Sequence, residues 1–403
     1  MQIANSHLTY CTNIHPGENW AAHFEQLQQH IPAIKARISP EKPFGIGLRL
    51  SNTASLELDK EPALNAFKAW LKEQDCYVFT MNGFPYGGFH HTVVKDQVHT
   101  PDWTTPERVA YTMRLFRILA ALLPDGVEGG ISTSPLSYKL WHVRCETERD
   151  AIMENATLNM LQIVQQLVGI HRSGGPFMHL DVEPEPDGML ENTAEYVRWF
   201  FDYLLPAAIP VLVDKFGFTE DEAAEKVKAH VQLCYDVCHF ALVYESPAAV
   251  LETMCQYGLR IGKLQISAAL KAILPEAGIE RNAVISAFRT FNEPTYLHQV
   301  IARTATGYLH YPDLPQAISD ADNTAVKEWR SHFHVPVFID QYGLLSSTQT
   351  DIREVLQLQV KQPFTPHLEI ETYTWDVLPA DLKLPMDQSV SREMEWVLQQ
   401  LEF

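Results

Sequence analysis

The chain lacks a CxxC pair, a run rich in lysine or arginine, and a leader-like start. Its six cysteines, Cys11, Cys76, Cys145, Cys234, Cys238 and Cys255, are scattered. That argues against a disulfide framework or a four-cysteine zinc site, and for reduced thiols in a cytoplasm. Basic residues are scarce: 31 Lys and Arg stand against 50 Asp and Glu, a formal net charge of −19. This balance disfavours nucleic acid and anionic membranes, which are held through phosphate contacts. The opening MQIANSHLTYCTNIHPGENW has no basic stretch followed by an apolar run, and no segment reads as apolar for long enough to span a bilayer. A cytoplasmic protein acting on a small molecule, or with a protein partner, is expected.

What the chain does have is core-forming capacity. Its 403 residues are 46% hydrophobic, enough for one large domain or two smaller ones. Eight stretches read as strands: 7–15, 44–51, 77–84, 129–138, 177–184, 231–238, 260–267 and 367–375. Between them, segments such as TPERVAYTMRLFRILAALL repeat apolar residues three or four apart, as core-facing helices do. Eight strands alternating with helices predict an α/β protein, a (β/α)8 TIM barrel spanning residues 1–403 as one domain. Residues 268–366 are too long for one crossover helix and are expected to be an insertion with extra helices and a short strand at 332–340.

Strand alternation separates two faces. Met178, Leu180 and Val182 oppose His179, Asp181 and Glu183; Leu264 and Ile266 oppose Lys263, Gln265 and Ser267; Leu368 and Ile370 oppose Glu369 and Glu371. Likewise Leu48 and Leu50 oppose Arg49 and Ser51, and Tyr235 and Val237 oppose Cys234 and Asp236. If the apolar faces meet the helices, the carboxylates, amides and cations point into the barrel, where burial without partners costs several kcal/mol each. A bound cation and a polar substrate would supply partners. Internal ion pairs, such as Arg49 with Asp181, would do so as well.

Glu183 precedes Pro184, which ends its strand; Asp236 and Glu371 also stand late in theirs. These ends form the mouth where barrel enzymes keep their sites. Two glutamates, an aspartate and a neutral donor would make an open site for a divalent cation. Positions i and i+3 of a strand point oppositely, so His239 can join Asp236 only if the chain turns near Cys238; His239 is expected in a loop and Cys238 in packing. His332 and His334 would share one face of the insertion strand, with His334 a further ligand candidate. Arg49, Lys139 and Lys263 are candidates for an anionic substrate group.

The order of Glu183, the D-x-x-H of Asp236 and His239, a polar residue at Gln265, and Glu371 resembles the xylose isomerase-like superfamily, which includes sugar epimerases and endonuclease IV. Over nearly the whole chain, LTYCTNIHPGENW, FTMNGFPYGGFH, HLDVEPEPDG and LEIETYTWDVLP resemble the EboE family of metabolite-traffic proteins. The superfamily resemblance implies a divalent cation (Mg, Mn or Zn) on Glu183, Asp236, Gln265 and Glu371, with His239 and His334 as additional ligand candidates. It further implies proton handling by Glu183 and Glu371. Gln265 stands where histidine is common, and its amide oxygen favours Mg²⁺ or Mn²⁺ over Zn²⁺. Compared with endonuclease IV, the third strand offers Asn82, with His90 and His91 further along; the fourth has no histidine, and His332-Phe333-His334 stands in place of Asp-x-His. Asn82, His90, Asp181 and His332 join the cations as substrate contacts. The expectation is a metal-dependent isomerase or epimerase of a sugar, sugar phosphate or similar polyhydroxylated metabolite, working with partner proteins of the same metabolite system. A non-catalytic metabolite binder and a metal-dependent phosphoester hydrolase are the rival readings.

Overall fold

Alternation in eight short segments builds a parallel barrel. The computed structural model describes residues 1–88, 93–142, 146–377 and 383–402. The barrel strands are β1 (Ser6–Tyr10), β2 (Phe44–Arg49), β3 (Cys76–Asn82), β4 (Gly129–Thr133), β5 (Met178–Val182), β6 (Val231–Asp236), β7 (Ile261–Ile266) and β8 (His367–Ile370). They pair in the order β2–β3–β4–β5–β6–β7–β8–β1, parallel throughout. The β1–β2 seam is joined by one parallel bridge, Cys11 to Gly47. The Thr9 hydroxyl stitches it further, donating to Gly45 O at 2.8 Å and accepting from Gly47 N at 2.9 Å. Position 47 must be glycine: a Cβ there would run into the Glu369 carboxylate and lie 2.7 Å from Tyr10 O.

The outward faces carry the core. Met178, Leu180, Val182, Leu264, Ile266, Leu368 and Ile370 are all buried beneath the helical layer. Trp20–Ile38 starts at Asn19, whose side chain accepts from Ala22 N; Pro106–Leu122 starts at Thr105, with proline where no amide is needed. Among the described residues one helical run, Thr193–Phe216, is apolar and long enough to cross a bilayer by length and composition alone. Its apolar character has a local cause: Tyr196, Trp199, Phe200, Leu204, Ala208 and Leu212 are buried against the rest of the fold.

After β7 the chain leaves the barrel and forms a six-stranded antiparallel sheet. Its order is Tyr308–Tyr311, Val300–Thr304, Val326–Ser331, Leu270–Ile273, Leu345–Ser347, Gln341–Tyr342. Helix Gln349–Lys361 then leads into β8. The strand expected at 332–340 does not form. Strand pairing stops at Ser331, where the partner strand begins at Leu270, and the backbone turns to other acceptors: His332 N donates to Gln299 O and Val335 N to Ala268 O. This irregular passage carries His332 and His334 over the barrel mouth.

Glu393, on the last helix, ties that passage to the end of β8. Its Oε1 accepts from Val337 N at 3.1 Å and from the Thr372 hydroxyl at 2.7 Å. Burial raises its pKa to about 8 against those two bonds. A carboxyl whose folded pKa is raised stabilises below its unfolded value near 4.5 and loses that contribution as pH climbs to about 8. Glu393→Gln keeps the acceptor oxygen, so it is expected to flatten the pH dependence and to gain up to about 4 kcal/mol over the wild type at pH 8–9. Urea unfolding at pH 5 and pH 8.5 checks this; an unchanged difference between the two pH values would contradict it.

The polar faces do point inward, in layers. Deep in the barrel Lys263 and Glu369 pair at 2.7 Å, both 0% exposed. Burial alone would lower the ammonium pKa, but Glu369 reverses this and the net shift is upward. Arg49 and Asp181 do not pair with each other: Arg49 donates to Gly87 O and lies 3.6 Å from Glu18, while Asp181 contacts His179 at 2.6 Å.

Candidate metal centre

Strand ends set the site. Glu183 follows β5 directly and Glu371 follows β8; their amides donate to Thr133 O and Ile266 O, both at 3.0 Å, which extends the ladder one residue past each strand. Asp236 closes β6 and also caps the short helix Val237–Leu242. Carboxylate oxygens of Glu183, Asp236 and Glu371 lie within 4.8 Å of one another, all three residues buried. Gln265, on β7, sits among them: its Nε2 donates to Asp236 Oδ2 at 3.0 Å, to Glu183 Oε1 at 3.3 Å and to Glu371 Oε2. An amide NH₂ thus takes the position between three carboxylates that a cation would occupy, and an amide flip presents Oε1 there instead.

The electrostatics suit a positive charge at this focus. Glu183 is pushed well above the usual carboxylate range, first by burial and then by Glu371, Asp236 and Glu185. Burial also works to raise Asp236, but His239, His334, the Ser267 hydroxyl at 2.6 Å and the His239 amide hold it below its ordinary value. Glu371 Oε1 accepts from Asn13 Nδ2 at 2.6 Å and Asn82 Nδ2 at 2.9 Å. Three or four oxygen donors on buried carboxylates suit a hard divalent cation.

Beside this group lies a second one, rich in histidine. His239, expected in a loop, stands in the first turn of the helix that Asp236 caps; the helix supplies the turn that brings it back to the aspartate. Its Nδ1 is 3.6 Å from Glu183 Oε1 and its Nε2 is 3.2 Å from His332 Nε2. His332 Nε2 is 3.3 Å from His334 Nε2, and His334 Nδ1 is 3.2 Å from Glu371 Oε2. Ligand atoms of Glu185, His239 and His332 fall within 4.8 Å of one another, as do those of Asp236, His239 and His334. Burial raises Glu185 to about 8. Burial opposes protonation of His334, yet Asp236, Cys238 and Glu371 outweigh it and raise its pKa; His332 goes the other way, through burial and its histidine neighbours. Cys238 is fully buried, its Sγ donating to Phe333 O at 3.5 Å, and burial lifts the thiol to about 11.

Members of both groups line a cavity of about 60 Å³, whereas Asp236 and Gln265 are not on its wall. Asn13, Asn82, Glu183, Glu185, His239, His332, His334 and Glu371 face it, with Phe84, Val94, Val98 and Tyr373 as its less polar wall. Asp181, Lys263, Arg49 and Lys139 do not line it. Asp181 and Lys263 lie deeper in the barrel; Arg49 holds the loop after β3; Lys139 pairs with Glu191 at 2.8 Å and Glu195 at 3.3 Å. Lys95 is the only lysine or arginine on the wall among the described residues, and it bonds Asp313 at 2.6 Å. His90 lies outside the described residues. Asn13 and Glu185 escaped the sequence reading. Asn13 stands in a single 3₁₀ turn after β1, and Glu185 comes two residues past Glu183, where the i, i+2 rule would have placed it on the same face had Pro184 not suggested the strand's end.

No family model matches the chain, and no curated protein matches it. Among solved structures it is similar to a xylose isomerase-like TIM barrel protein from Mycobacterium smegmatis in complex with magnesium. The identity is 12%, 98% of this chain and 96% of that one are covered, and the TM-score is 0.50. It also matches the probable 3-DHS dehydratase AsbF involved in petrobactin synthesis from Bacillus anthracis (11% identity, 97% and 98% covered, TM-score 0.44). A third match is the 3-keto-D-glucoside 4-epimerase YcjR from E. coli in its apo form (14% identity, 78% and 97% covered, TM-score 0.36). At such identities the likeness speaks to architecture alone: the chain folds as a (β/α)8 barrel, similar to that of the xylose isomerase-like TIM barrel protein.

Proposed function

We propose that this protein is a divalent-metal-dependent isomerase or epimerase of a sugar or similar polyhydroxylated metabolite. The observation that carries the reading is the convergence of Glu183, Asp236 and Glu371 around the Gln265 amide at the barrel mouth. Those four residues would hold the cation, and their oxygen donors favour Mg²⁺ or Mn²⁺. The magnesium in the Mycobacterium smegmatis structure is in keeping with that choice. When bound, the cation would supply positive charge against the negative charge that develops on substrate oxygens as a proton leaves the neighbouring carbon.

The chain's own groups divide the remaining work. Glu183 and Glu371 are the proton-handling pair, one removing a proton from substrate carbon and the other returning one. Asn13 and Asn82 fix the Glu371 carboxylate, and His239 flanks Glu183. Phe84, Val94, Val98 and Tyr373 limit the water around the reacting carbon. With Lys95 tied to Asp313, the described wall favours an uncharged polyol over a sugar phosphate. A cytoplasmic setting and partner proteins of an EboE-like metabolite system are part of the same proposal and rest on the sequence resemblance.

The test is incubation with Mn²⁺ in D₂O with neutral and phosphorylated keto and aldo sugars. Deuterium beside the carbonyl is expected with the wild type and not with Glu183→Gln or Glu371→Gln. Isomerised product without deuterium would assign a hydride shift to the same residues. Metal binding without turnover across the panel would contradict catalysis and favour a metabolite-binding role. A second reading, phosphoester hydrolysis, draws on the contact of His239, His332 and His334 beside Glu185, which offers a neighbouring cation position. Phosphate release in the phosphorylated arm would favour it. Gln265→His adds a softer donor at the focus and is expected to shift preference from Mn²⁺ toward Zn²⁺ by roughly tenfold, read by competition dialysis.

A further inference from the structure

At the opposite end of the barrel, a second set of ligand atoms faces inward. His179 is near the start of β5, His367 opens β8, and Glu128 precedes β4. A ring nitrogen from each histidine and a Glu128 carboxylate oxygen lie within 4.8 Å of one another. None of these residues lines the mouth cavity.

Hydrogen bonding leaves a ligand lone pair on each ring. His179 Nδ1 meets Asp181 Oδ1 at 2.6 Å, so Nδ1 carries the proton and Nε2 the lone pair. His367 Nε2 meets the Glu128 carbonyl at 3.2 Å, so Nε2 donates and Nδ1 carries the lone pair. Both remaining nitrogens, His179 Nε2 and His367 Nδ1, are buried without a partner among the described residues, as is Asp181 Oδ2. Three buried acceptors facing no donor are costly, at about 1–3 kcal/mol each. A metal-bound histidine commonly gives its other N–H to a carboxylate or a backbone carbonyl, and both arrangements occur here.

Glycines keep the space open. A Cβ at Gly130 would stand 2.6 Å from Asp181 Oδ2 and 2.9 Å from His367 Nδ1, and one at Gly262 would strike Asp181. Glu128 is only partly buried and lines clefts on this end of the barrel, which gives an ion a route in from solvent.

We infer that His179, His367 and Glu128 form a transition-metal site at the base of the barrel, separate from the mouth, taking zinc or a similar divalent ion with water in the remaining position. Two imidazoles and one carboxylate suit zinc better than magnesium. The ion would join β5, β8 and the entry to β4, giving the base a cross-link that the Asp181–His179 bond orients.

The metal-free full-length chain titrated with Zn²⁺ provides the test, read by equilibrium dialysis and thermal unfolding, with an anomalous difference map at the zinc edge. One zinc between His179 and His367 is expected. It should persist in Glu371→Gln, which separates this site from the mouth. His367→Gln should lose that equivalent and its share of the thermal shift, and Asp181→Asn should weaken it about 10- to 100-fold. If His367→Gln does not fold, Glu128→Gln, at a partly exposed position, should weaken zinc by about tenfold or more. No anomalous peak at the base, or wild-type zinc affinity in both His367→Gln and Glu128→Gln, would overturn the inference.

Discussion

Glu183→Gln is expected to make the metal-free protein more stable at alkaline pH and to cut its affinity for Mn²⁺ by about a hundredfold, since ligand charge count sets such affinities. The two effects share one cause. Glu183, Asp236 and Glu371 bring carboxylate oxygens within 4.8 Å in a buried site. Burial and the neighbouring carboxylates raise the Glu183 pKa in the folded chain. A raised carboxyl stabilises below its unfolded value, near 4.5, and the contribution drains away as pH rises toward the folded value. Glutamine has no such dependence, so the variant should gain on the wild type as pH rises from 5 to 8. Urea unfolding of chelated protein at the two pH values measures it. A variant less stable than the wild type at both would contradict the reading of this cluster as a site organised for a cation.

Lys263→Met is expected to cost about 3–5 kcal/mol, because it strands the Glu369 carboxylate deep in the barrel. The lysine ammonium also donates to Met81 O at 3.1 Å and the Ser132 hydroxyl at 3.2 Å, so three acceptors lose a donor together. Removing both charges in Lys263→Met with Glu369→Leu should recover most of the loss, since a well-packed apolar pair often matches a buried ion pair. Chemical denaturation of the two variants decides it. If the double variant is no more stable than the single, the pair is not the main term. A small loss in Lys263→Met would mean that Glu369 finds another partner.

Much of this was legible in residue order. Period-two alternation placed His179, Asp181 and Glu183 on the inner face of one strand, and Gln265 and Glu371 on those of two others. Pro184 marked the mouth end. Alternation carries a face but no height, however. Lys263 and Gln265 read identically, yet Gln265 meets three carboxylates while Lys263 lies deeper, bound to Glu369. Residues beyond the strands were less legible. Asn13 sits in a 3₁₀ turn, and His332 and His334 reach the mouth on an irregular passage whose path depends on distant backbone acceptors at Gln299 and Ala268. The insertion sheet joins segments as far apart as Leu270 and Ser347, and no local pattern announces that pairing.

The most direct test of the mouth as a cation centre is a titration of chelated protein with Mn²⁺, followed by the loss of the free-ion electron paramagnetic resonance signal. The wild type should bind one equivalent that Mg²⁺ displaces. Glu371→Gln and Asp236→Asn, with far-ultraviolet circular dichroism unchanged, should each lose it, while Lys139→Ala should retain it. Equal binding by the wild type and both carboxylate variants, or no binding by a folded wild type, would contradict the assignment.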